Sequence, residues 1–168
     1  MNQSIIRFFL VTIIWSITWC AYGSTPTAEH RGDIMFASQQ CNGSVSEPTA
    51  TLVTRQEQLD QVYQQLQSNS LGSRHPVPVM DFNKNTILFM EMGQQRTGGY
   101  QLAFDSRKPI QVFEDYVGIT VTWLEPDKNT VTTQVITTPC VLVRFAAGNY
   151  RAVRVFDQHG KQRYPANP

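Results

Sequence analysis

Large apolar residues alternate with glycine or threonine along positions 117–123. Val117, Ile119, Val121 and Trp123 point one way, and Gly118, Thr120 and Thr122 the other. A period of two is that of a strand with one face in a core, which makes those four residues candidates for the interior. The same pattern recurs in Val141, Val143 and Phe145 against Leu142 and Arg144, and in Tyr100, Leu102 and Phe104. Strands are accordingly predicted over 86–92, 100–104, 110–114, 117–124, 140–145 and 151–156, each rich in β-branched or aromatic residues and bounded by turn formers. Two shorter ones, 33–38 and 49–53, precede them.

The helical period appears clearly in one place. Leu59, Val62, Tyr63 and Leu66 fall at i, i+3, i+4 and i+7 and form one apolar stripe among glutamines and acids. Thr54 and Glu57 have the spacing of a capping box, which predicts a helix starting at Arg55. Gly72, Pro76 and Pro78 then end it in a long loop. Strands with one apolar face must cover it, so the expected fold is mainly β: a small antiparallel β-sandwich or barrel with one amphipathic helix packed alongside.

Between the predicted strands 86–92 and 100–104 stands the run Arg96-Thr97-Gly98-Gly99-Tyr100. Adjacent glycines at such a place predict a hairpin with positive φ angles and an exposed tip almost free of side chains. Gln94, Gln95 and Arg96 beside it add flexible polar groups.

The amino-terminal residues have a different character. Arg7 precedes the apolar run 8–17, and Ala21-Tyr22-Gly23 supplies small residues at the spacing of a signal-peptidase site. Positions 1–23 are expected to be a cleaved export signal, because the run to Tyr22 falls short of the roughly 20 residues that span a bilayer. Contact with a membrane would then arise only through an uncleaved signal. Lipidation at Cys20 is disfavoured by the bulky Trp19 before it. Residues 24–32 read as a flexible lead-in and 33–168 as a single β-rich domain. Cleavage leaves two of the three cysteines, Cys41 and Cys140. In an oxidising compartment they are expected to form a disulfide, and closing a loop of about 100 residues is worth up to roughly 4.7 kcal/mol.

Composition narrows the chemistry. The 168 residues carry a formal charge of +1 and only 16% charged side chains, with a pI near 7.7. No basic stripe is present, which argues against a nucleic-acid partner. His30, His75 and His159 lack ligand-spaced partners, so neither a metal nor a cofactor is expected. Nucleophile-elbow, phosphate-loop and dinucleotide motifs are missing. Glu91, Glu114, Asp115 and Glu125 show no spacing that selects a carboxylate pair, and they read as solvated acids. The expectation is a non-enzymatic protein with no catalytic residue.

Asp81-Phe82, then Thr86 to Met90, Gly93, Thr97-Gly98-Gly99-Tyr100, and later Thr133 to Pro139 leading into Cys140 to Phe145, form a combined pattern. Over about 81–145 it resembles the carboxy-terminal domain of the PrcB family of protease complex subunits. The resemblance implies an exported bacterial protein of the periplasm or envelope that binds or supports a protein partner, such as an exported protease. The loop 125–129 departs from the family by lacking the glycine of its Pro-Gly-rich segment. Contact with the partner is assigned to Gln94, Gln95, Arg96, Thr97, Gly98 and Gly99, with 133–139 nearby. Two alternatives stand beside it. Thr97 to Tyr100 is similar to the Thr-Thr-Gly loop of chagasin-type protease inhibitors; or the glycines only turn the chain, 133–139 is an edge strand protected by its proline, and the protein has a purely structural role.

Overall fold

The computed structural model describes residues 25–43, 45–68, 76–114 and 116–164; the expected export signal at 1–23 lies outside these residues. Along the chain come β1 (Ala28–His30), β2 (Asp33–Ser38), β3 (Thr49–Val53), α1 (Gln56–Gln67), β4 (Asn85–Glu91), β5 (Gln101–Phe104), β6 (Ile110–Val112), β7 (Tyr116–Leu124), β8 (Cys140–Ala146) and β9 (Ala152–Phe156). The segment read as a flexible lead-in therefore contains a strand, β1, paired with β6.

The strands form two sheets. One has the order β2-β8-β4-β3, antiparallel throughout. The other is built around β7: β6 and β9 take its two edges near residue 117, β5 pairs with residues 121–124, and β1 extends the sheet beyond β6. Only the β7–β9 pair among these is parallel.

The centre of the first sheet is buried on both faces, and this explains why β4 and β8 are apolar at consecutive positions. Leu88, Met90, Val141, Val143 and Phe145 face the second sheet, where they meet Leu102, Phe104, Ile110 and the alternating residues Val117, Ile119, Val121 and Trp123. Ile87, Phe89 and Leu142 face the other way and pack under Leu59, Val62, Tyr63 and Leu66 of α1. The architecture is thus a sandwich with the helix laid on its outer side, not a closed barrel. Each such side chain, fully buried, contributes about 1.5–3 kcal/mol.

The start of α1 differs from expectation. Arg55 is the N-cap and makes no side-chain capping bond, and the helix begins at Gln56. Gln58, not Glu57, reaches back to accept the Thr54 backbone N–H at 2.9 Å. The reciprocal half of a capping box is missing because Thr54 stands one residue too early to cap with its hydroxyl. The cysteines behave as expected: Cys41, after β2, and Cys140, at the start of β8, are disulfide-bonded and fully buried.

A rigid platform around the glycine segment

β4 and β5 belong to different sheets, so the chain between them crosses a gap instead of folding back as the predicted hairpin. Gly93 begins the crossing with φ +74°, and a Cβ there would stand 2.6 Å from the Ser46 carbonyl oxygen. Only glycine meets both demands. The Gln94 amide donates to the Val45 carbonyl at 2.9 Å, and Gln95 exchanges two backbone bonds with Thr137 at 2.8 and 2.9 Å. The Gln95 side chain donates to the Met92 carbonyl oxygen at 2.9 Å.

The two glycines then do different things. Gly99 has φ +90° and is exposed, against Pro126 and Thr132. Gly98 is buried, without a positive φ, and donates its amide to the Thr133 carbonyl at 2.9 Å. The Thr97 carbonyl accepts the Thr137 hydroxyl at 3.1 Å. The expected exposed glycine tip is therefore half interior, with the Thr97 carbonyl and the Gly98 amide already hydrogen-bonded.

The run 133–139 does lie beside this segment, as expected, and it is held from its other side too. Thr138 donates its amide to Gln39 at 3.0 Å and accepts the Cys41 amide, at its carbonyl at 3.1 Å and at its hydroxyl at 2.8 Å. Gln40 donates from its side chain to the Ile136 carbonyl at 2.9 Å. The disulfide ties Cys41 to Cys140, the residue just past this run. Segments 38–41, 133–139 and 93–99 thus form one platform.

Of the six residues assigned to the site, Gln94, Arg96 and Gly99 are exposed, Gln95 and Thr97 are half-buried and Gly98 is buried. Beside them, Val135 and Ile136 are 53% and 56% exposed, with Thr133 and Gln134 also at the surface. The sequence reading passed over these two apolar side chains as surface. Their signal was two adjacent β-branched residues within a polar run, a pattern no single strand face can bury. Arg96 makes no ion pair among the described residues.

Other polar groups serve the framework. Asp157 is buried and accepts the amides of His159 and Lys161 at 2.8 and 2.9 Å and the Arg163 guanidinium at 2.8 Å. Burial pushes its carboxyl up, but the bonds from Lys161, His159 and Arg163 outweigh this and hold it below its ordinary value. Arg163 also reaches Glu125 at 2.8 Å and lies over the Trp123 ring. Glu91, expected to be solvated, is 7% exposed; alternate residues of β4 point to the helix, and Glu91 follows Ile87 and Phe89 in that series. His30 lies on β1 and His159 in the turn after β9, while His75 and Asp115 fall outside the described residues. Among the described residues no three His, Cys, Asp or Glu side chains group as metal ligands would.

Residues 86–146 match the family model described as PrcB C-terminal. The matched stretch runs from β4 to the end of β8 and includes both the glycine segment and the run 133–139. No curated protein and no solved structure matches the chain.

Proposed function

From a chain whose residues 86–146 carry the PrcB C-terminal pattern, we propose an exported, non-enzymatic accessory subunit of the bacterial envelope that associates with a protease or another envelope protein through the platform. The family name supports association with a protease complex. The observation that carries the contact surface is the exposure of Val135 and Ile136 on a backbone fixed from both sides. An apolar centre with a polar rim of Gln94, Arg96 and Gln134 has the composition of a protein-binding patch. A segment already ordered gives up little conformational entropy when a partner docks on it.

Two of the three platform segments come from the connections β4 to β5 and β7 to β8, both inside the matched stretch; the third, 38–41, follows β2 and lies outside it. The test is affinity capture of envelope proteins from the native host with the parent protein and with an Arg96→Glu, Val135→Asp variant. Circular dichroism must show both folded. The expected result is a protease, or another exported protein, retained by the parent and lost by the variant. Equal retention by both, or none by either, would remove the platform as the contact surface.

A further inference from the structure

A groove of about 340 Å³ runs between α1 and the edge strand β3. Its floor is Val53, Val62 and Phe89, all buried, and at its end stands Glu91. Ile87, Phe89 and Glu91 are alternate residues of β4 turned toward the helix. A carboxylate thus occupies the place where that face calls for a third apolar side chain. The Gln65 side-chain amide donates to Oε1 at 2.9 Å and the Thr49 hydroxyl to Oε2 at 3.3 Å. Gly43 lies so close to Oε1 that a Cβ on it would collide with the carboxylate.

No basic side chain among the described residues lies within ion-pair distance of Glu91, and the groove lining contains no lysine, arginine or histidine. A buried carboxylate without a counter-charge is costly to ionise. Its two donors also leave acceptor sites open, since an ionised carboxylate offers about four. The walls add neutral acceptors from Gln58, Gln61 and Gln65 on one side and Thr49 on the other. Small-ligand sites begin at about 300 Å³, which admits a short chain with one polar head.

We propose that this groove binds a primary ammonium group on an unbranched apolar stem, with the stem on Val53, Val62 and Phe89 and the ammonium donating to Glu91. A soluble alkylamine and a lysine side chain share that chemistry. The site uses none of the platform residues, so it stands or falls independently of the proposed contact surface.

The test is an amide chemical-shift titration of the full protein with n-butylammonium, with Nα-acetyl-lysine N-methylamide, and with 1-butanol as the uncharged control of similar stem. Saturable shifts on β3, β4 and α1 are expected with at least one of the two amines. Binding should be roughly tenfold or more weaker with butanol and in Glu91→Gln, which keeps the shape and removes the charge. Response to both amines supports head and stem alone as the recognised feature; response to butylammonium only assigns a soluble amine; response to the lysine derivative only assigns a protein side chain. Gln61→Lys, at an exposed helix position on the groove wall, supplies a second variant that should block the amines without touching the interior. No saturation by either amine, butanol binding as tightly as butylammonium, or undiminished amine binding by folded Glu91→Gln would overturn the proposal.

Discussion

The hydroxyl oxygen of Thr133 occupies the space that a Cβ on Gly98 would need, while the Gly98 amide donates to the Thr133 carbonyl at 2.9 Å. Glycine at this position therefore answers to close approach between two connections, each of which crosses from one sheet to the other. Gly98→Ala is expected to cost about 1–3 kcal/mol through overpacking. Thr133→Ala in the same chain should recover part of that loss, because it removes the colliding oxygen. Urea unfolding of the two single variants and the double variant measures this coupling; additive losses would mean that the contact does not set the choice of glycine.

The disulfide closes the arm that holds Thr138 in place. Replacing both Cys41 and Cys140 by serine should destabilise the protein by about 2–5 kcal/mol. Amide hydrogen exchange should also speed up at position 41 and at Thr137 and Thr138, whose amides bond across the platform. Unchanged protection there would show that the hydrogen bonds hold the platform without the covalent link.

Glu91 gives a pH dependence with a definite sign. Burial pushes its carboxyl up, against the hydrogen bonds from Gln65 and Thr49. A carboxyl raised in the folded state contributes stability that is fully present below its unfolded value, near 4.5, and lost as pH rises through the folded value. Glu91→Gln should consequently be more stable than the parent near neutral pH, and the difference should close on acidification. Thermal midpoints of both proteins across this range would show it, and a constant difference would contradict it.

Asp157 titrates with the opposite sign. Held below its ordinary value, it contributes stability present above the unfolded value, near 3.8, and lost as pH falls through the folded one. Asp157→Asn should cost about 1.5–3 kcal/mol at neutral pH, the worth of hydrogen bonds to a charged group, and less in acid. Because Arg163 lies over Trp123, tryptophan fluorescence should report the loosening of this turn directly. A Trp123 signal unmoved by the substitution would separate Asp157 from the packing of that ring.

Local periodicity made most elements legible. The stripe Leu59, Val62, Tyr63 and Leu66 is the buried face of α1, and Val117, Ile119, Val121 and Trp123 are core residues. The bounds of β2 and β3 were readable to the residue: Gly32 precedes the first, Pro48 precedes the second, and the helix entry at Thr54 ends it. Side-chain period and strand propensity depend on neighbours in sequence, so one chain carries them in plain form.

Pairing is a different matter. A glycine turn between two apolar runs has the local chemistry of a hairpin, yet β4 already has β8 on one edge and β3 on the other. With both edges of β4 taken, β5 pairs with β7 in the opposite sheet. That choice rests on which non-local faces can be buried together, and no short-range pattern encodes it. The platform follows from the same cause: residues from 38–41, 93–99 and 133–139 meet only because the first sheet brings β8 between β2 and β4. The sequence determined the strands, the helix face and the cysteine pair through local pattern and covalent chemistry. The tertiary structure alone decided that Gly98 is interior, that Val135 and Ile136 are surface, and that Glu91 is a buried carboxyl, because each depends on what the rest of the chain leaves uncovered.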